Sequence, residues 1–101
     1  ASDVYKRQVQ IESTKKDKAQ TVYIDLGTKR GVQKGQKFIV YIEMDIAGEL
    51  SLKEVGRLNV KEVLSGTRSL CTVSKGGEEI MKASKEEKKL IILSRKNADL
   101  G

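Results

Sequence analysis

Three glycines spaced four residues apart join one alternating apolar segment to the next in Gly27-Thr-Lys-Arg-Gly31-Val-Gln-Lys-Gly35-Gln-Lys-Phe38-Ile-Val-Tyr41. Such spacing builds either a phosphate cradle or a tight turn, and the two lead to different kinds of protein. A Walker loop needs G-x-x-x-x-G-K-[ST], yet Val32 stands five residues beyond Gly27 and Gln36 five beyond Gly31. A dinucleotide fingerprint needs G-x-G-x-x-G opening a helix. Lys29 occupies its second glycine position, and the segment after Gly35 alternates as a strand. The turn reading stands. Gly27 ends a strand, Gly31 takes a positive φ, Val32 tucks back into the core, and Gly35 turns the chain into the strand led by Phe38. Lys29, Arg30, Lys34 and Lys37 then form a basic rim on the turn, a candidate partner-binding surface or a loose anion nest.

The rest of the chain reads mostly as strands. Thr21–Leu26 alternates cleanly, with Val22, Ile24 and Leu26 on one face and Tyr23 and Asp25 on the other. A weaker strand covers Tyr5 to Ile11, and Ser13–Lys18 reads as a polar loop. The strand from Lys37 to about Met44 is apolar on both faces, which predicts a central position. After a turn at Asp45–Gly48, a strand from Leu50 to Leu64 bends near Val55-Gly56, since a strand glycine often marks a bulge. Alternation places Leu58, Val60 and Glu62 on one face of it and Lys61 and Val63 on the other. Ser65-Gly66-Thr67 makes a hairpin turn into Ser69–Ser74.

Near residues 78–86 the period changes to that of a short helix, acidic at its start and lysine-rich at its end, as the dipole prefers. Glu78 and Lys82 form an i,i+4 pair there, and Ile80 and Met81 are the residues available to dock it. Leu90–Ser94 is a last buried strand, with a frayed tail over 96–101. This succession predicts a mainly β fold, a small five- to six-stranded SH3-like or OB-like barrel with one short helix. Residues 1–101 form one domain, its core at about 20–95.

Composition narrows the chemistry. There is no His, which removes the commonest general base and zinc ligand. The single Cys71 lies in the strand-like Leu70-Cys71-Thr72-Val73 and reads as a buried small apolar side chain. The paired carboxylates Glu78-Glu79 and Glu86-Glu87 sit among lysines and serve helix polarity and solubility. The expectation is a protein that is not an enzyme, with no catalytic, cofactor-binding or metal-binding residues. No run approaches the ~18 apolar residues of a membrane span. Residues 1–37 hold nine Lys/Arg against four Asp/Glu, most of the net charge of +6. A basic third fits nucleic acid, anionic lipid or an acidic protein partner. A nucleic-acid-binding barrel, stacking bases on Tyr23 and Tyr41, is the alternative reading. A small enzyme using a carboxylate or lysine is a weaker third.

The run Val22-x-Ile-Asp-x-Gly27-x-x-x-Gly31-Val-x-x-Gly35-x-x-Phe38-x-Val-Tyr41 resembles the C-terminal barrel of the bacterial flagellar assembly protein T family. Gly48, Val55-Gly56-x-Leu58-x-Val60-x-x-Val63 and Ser69-x-Cys71-x-Val73 follow in the same order. Similar barrels occur beside curli-secretion-type lipoprotein domains and in rod-shape-determining protein C. The resemblance covers roughly residues 20–75 and consists mainly of glycines and core positions. It implies a non-catalytic protein–protein assembly module of a bacterial cell-envelope protein, periplasmic or outer-membrane-associated. Its partner would be another envelope protein or other domains of the parent chain. Separately, Ser2-Asp-Val-Tyr-Lys-Arg-Gln8 is similar to a translated adapter read found at the ends of environmental sequence fragments. That similarity implies a metagenomic source and a fragment of a larger protein.

Overall fold

The computed structural model describes residues 4–95, so the tail expected over 96–101 lies outside the described residues. Six strands are present: β1 (Val4–Lys15), β2 (Lys18–Ile24), β3 (Lys37–Ile46), β4 (Glu49–Val63), β5 (Ser69–Lys75) and β6 (Leu90–Arg95). One helix, α1 (Gly77–Lys85), connects β5 to β6. The strands close into an antiparallel barrel in the order β1-β2-β5-β4-β3-β6, the six-stranded form of the expected architecture. Closure gives each strand two neighbours in the wall and so removes the exposed edges of an open sheet there, while the β3–β4 ribbon runs on beyond the wall. The seam pairs Val4–Gln8 of β1 with Ile91–Arg95 of β6, so residues 4–8 of the adapter-like segment are part of the wall.

Inward alternation from all six strands builds one core, with Val22, Ile24, Val40, Leu58, Cys71 and Ile92 fully buried. Two bulges within β4 adjust it. Val40 pairs with Gly56 but Tyr41 with Glu54, leaving Val55 as the extra residue, and both Val55 and Gly56 are buried. This is the bend expected at Gly56. A second bulge at Lys61, between the pairs Val60–Cys71 and Glu62–Leu70, corrects the expected faces of β4. Strict alternation turned Val63 away from Leu58 and Val60. The extra residue brings it back, and Val63 packs half-buried against the core while Glu62 is exposed.

The polar segment Ser13–Lys18 is a hairpin rather than a loop. β1 continues to Lys15 and β2 restarts at Lys18 across a two-residue turn, with Lys16 at φ 52° and Asp17 at φ 63°. Positive φ at both positions gives the mirror-image turn that matches strand twist, a turn usually announced by Asn-Gly or Asp-Gly. Here neither residue is glycine, which hid the signal. Beside the turn, the Ser13 and Thr21 hydroxyls lie 2.5 Å apart and Thr21 Oγ1 donates to Glu12 Oε1 at 2.9 Å.

Helix α1 covers one end of the barrel with Ile80 and Ala83, both buried. Met81 is only half-buried, so Ile80 is the principal docking residue. Glu78 does not engage Lys82 as expected; its ion pair is with Lys18 on β2, at 3.4 Å. The helix ends in a Schellman closure, Glu87 N–H donating to Ser84 O and Lys88 N–H to Ala83 O, with Glu87 at φ 58°. At the opposite end, Leu26 and Val32 plug the barrel around a one-turn 3-10 helix, Thr28–Arg30. Gly31 at φ 74° and Gly35 at φ 90° adopt the left-handed region the turn reading required of this segment.

Candidate functional site

Strands β3, β4 and β5 lie side by side in the wall. With Val40, Ile42, Leu58, Val60 and Cys71 turned inward, period two turns Lys37, Ile39 and Tyr41 of β3 and Arg57 and Asn59 of β4 outward. Register then gathers charge. Lys37 pairs with Asn59, Ile39 with Arg57, and Arg57 with Lys75. The Arg57–Lys75 match depends on an extra residue, Ser74, whose Oγ donates to the Arg57 carbonyl at 3.2 Å. The result is a groove of about 510 Å³ lined by Lys37, Phe38, Ile39, Arg57, Leu58, Asn59, Ser74 and Lys75. Three cations from three strands stand over an apolar floor, and no carboxylate is among the described lining residues. Arg57 is oriented from outside the groove, its Nε donating to Glu54 Oε2 at 3.2 Å. A guanidinium carries five N–H donors, so this contact uses only one of them. Such a surface suits an anionic segment that also carries apolar side chains.

The predicted basic rim is divided between this groove and the nearby barrel end. Lys37 lines the groove. Lys29 and Arg30 sit on the 3-10 turn, fixed against the β4–β5 connection by Thr28 N–H to Ser65 O (3.1 Å) and Lys29 N–H to Gly66 O (3.0 Å). Lys34 is exposed on the next turn, where Gly35 N–H donates to Val60 O at 2.8 Å. Gly27 and Gly56 are places of close backbone approach: a β-carbon would fall 2.0 Å from Ser65 O in the first case and 2.6 Å from Lys75 O in the second. Sequence reasoning missed Arg57 and Lys75. Their meeting depends on strand order and two bulges, and the one available hint was the outward phase of Lys37 and Ile39 opposite the Gly56 bend.

The two tyrosines weighed as base-stacking platforms are far apart. β2, carrying Tyr23, and β3, carrying Tyr41, stand three places apart in a ring of six, on opposite sides of the barrel. The Arg68 guanidinium lies 5.4 Å from the Tyr23 ring centroid. Tyr41 sits beside Ile91, its cross-strand partner and a fully buried residue on the outer side of β6. Two adjacent bases of one strand cannot reach both rings.

Among the described residues, two titratable groups have shifted behaviour. The Lys6 ammonium, 2.9 Å from Glu43 Oε1, holds the Glu43 carboxyl below the usual carboxylate range and ties β1 to β3 across β6. Cys71 is fully buried, and burial pushes its thiol up to about 12. An unfolded thiol ionises near pH ~8.5. The stabilisation from keeping the buried group neutral is therefore intact below that pH. Above it the unfolded state loses its proton first, and stability falls as pH climbs toward the folded value. By pH ~10 the wild type should lose about 2 kcal/mol more than Cys71→Ala, read as the difference between their urea unfolding curves. Equal pH profiles would contradict it. The same burial makes the thiol inert toward a disulfide reagent until the barrel opens.

Among the described residues, no group of three or more His, Cys, Asp or Glu is placed to hold a metal ion. No described helix is long and apolar enough to cross a membrane. Comparison with protein families, with curated proteins and with solved structures finds no match, so the likeness to the flagellar assembly protein T barrel rests on the quoted residues alone.

Proposed function

We propose that this barrel is a non-catalytic assembly module that binds an acidic, partly apolar segment of a protein in the groove between β3 and β5. The observation that carries this reading is the joining of Lys37, Arg57 and Lys75 around the outward Ile39, with no carboxylate among the described lining residues. Complementary potentials steer encounter and fix register, while an apolar floor supplies the burial that holds the complex. The resemblance of the Gly27–Tyr41 stretch to envelope-assembly barrels supports a bacterial envelope setting, periplasmic or outer-membrane-associated, with a neighbouring envelope protein or domain as partner.

The test uses two labelled probes, a Glu/Leu-rich peptide and a single-stranded oligonucleotide. The peptide should bind, and Lys37→Glu with Arg57→Glu should weaken it at least tenfold, about 1.4 kcal/mol. Oligonucleotide binding that is tighter than peptide binding, and that falls steeply with salt, would transfer the groove to the nucleic-acid reading.

A further inference from the structure

We infer that the acidic segment received by the groove is the β3–β4 hairpin tip of a second copy of this chain, so that two barrels pair reciprocally. This rests on the reading that the groove takes an acidic protein segment, and it names that segment.

The hairpin outruns the barrel. β6 pairs with β3 over Val40–Ile42, and β5 pairs with β4 from Arg57 onward. Beyond those points Met44–Ile46 and Glu49–Glu54 have ladder partners only within the β3–β4 pair. A solvated ribbon would be expected to be polar, yet Leu50 is 66% exposed and Leu52 40% on one face, and Ile46 55% on the other. Clustered exposed apolar side chains of this kind mark contact surfaces. The pairs Glu43–Leu52 and Asp45–Leu50 set both leucines on the outer face, in line with Ile39 and Tyr41.

Charge specifies the occupant. This protein has a net charge of +6, but residues 41–54 carry Glu43, Asp45, Glu49 and Glu54 against Lys53; Lys6 and Arg57 pair with Glu43 and Glu54, so Asp45 and Glu49 are the acids of the tip itself. One continuous outer face of β3 and β4 is thus cationic and apolar toward Lys37 and Arg57, and anionic and apolar toward Asp45 and Leu50. Two such faces laid antiparallel about a two-fold axis put each tip on the other copy's groove, and the match occurs twice. The tip is also preformed. Ala47 at φ 54° and Gly48 at φ 85° make a two-residue turn, and Gly48 N–H donates to Asp45 Oδ1 at 3.0 Å, so little ordering is needed on docking.

Sedimentation equilibrium over a concentration series tests this. The mass should move from 11.2 kDa toward twice that value, and about 0.5 M salt should weaken pairing at least tenfold. Leu50→Lys in the tip, and separately Lys37→Glu with Lys75→Glu in the groove, should each leave a monomer of unchanged melting temperature. Mixing the two variants should restore the dimer, because both contacts are then matched while each variant alone has both mismatched. A wild-type chain that stays at 11.2 kDa up to about 1 mM overturns the inference. If that monomer still binds the Glu/Leu-rich peptide, the groove reading survives; if it does not, both fall. A dimer that persists through both sets of substitutions also overturns it and points to pairing of the open strand edges.

Discussion

Gly27→Ala is expected to destabilise the barrel by ~4 kcal/mol, enough to consume much of a small domain's stability. A β-carbon there would sit 2.0 Å from Ser65 O, 2.6 Å from the Gly66 carbonyl carbon and 2.7 Å from the Thr67 nitrogen. All three are backbone atoms. They are also fastened in place, because Thr28 and Lys29 donate to the Ser65 and Gly66 carbonyls. Overpacking costs ~1–3 kcal/mol where side chains can give way, and here none can. Gly35→Ala is the control. Its φ is 90°, but its β-carbon would meet nothing within 4 Å, so only the left-handed penalty of ~1–2 kcal/mol applies. Gly31→Val, at φ 74°, should lose at least ~1 kcal/mol for the same reason. Urea midpoints at constant m-value measure the series. A Gly27→Ala midpoint equal to that of Gly35→Ala would mean that the two turns are not packed against each other.

The second large effect is expected at Ile80→Ala, which should cost ~3 kcal/mol, against under ~1 kcal/mol for Met81→Ala. Ile80 is fully buried, and its Cδ1 lies 2.7 Å from where a β-carbon on Gly56 would be, so it fills the space the bulge glycine leaves open. Helix α1 has nine residues and no side-chain cap at its start. Isolated helices of that length are marginal, so its order depends on this contact. Hydrogen exchange should show α1 amides losing protection in Ile80→Ala before the strands do. Similar costs at Ile80 and Met81 would count against a single anchoring side chain.

These two cases show where sequence reading succeeds. The Gly27–Gly35 turn was legible because its glycines, its returning Val32 and the alternating strands on either side all demand the same local geometry. The helix was legible from its change of period and its charge order. What escaped was set by contacts distant in sequence. The Lys61 bulge turns Val63 inward and follows from pairing with β5. The Lys16-Asp17 turn lacks the glycine that normally marks it. The groove escaped for a similar reason: Lys37, Arg57 and Lys75 are scattered polar positions until the order β5-β4-β3 sets them side by side. Charge counting did locate a basic region, but by segment rather than by surface.

The seam between β1 and β6 also has a consequence in time. It joins Gln8 to Ile91, at nearly opposite ends of the described chain, and contacts of such sequence separation make barrels slow to fold. As the chain is synthesised, β6 emerges last among the described strands, at about 5–20 residues per second. Until it arrives, β1 and β3 both present open edges to other nascent chains. Lys6 on β1 and Glu43 on β3 stand on those edges, and charges there discourage pairing with a foreign strand. Once β6 is inserted, the same two side chains meet at 2.9 Å across it. The gatekeepers of the unfinished barrel become the clasp of the finished one.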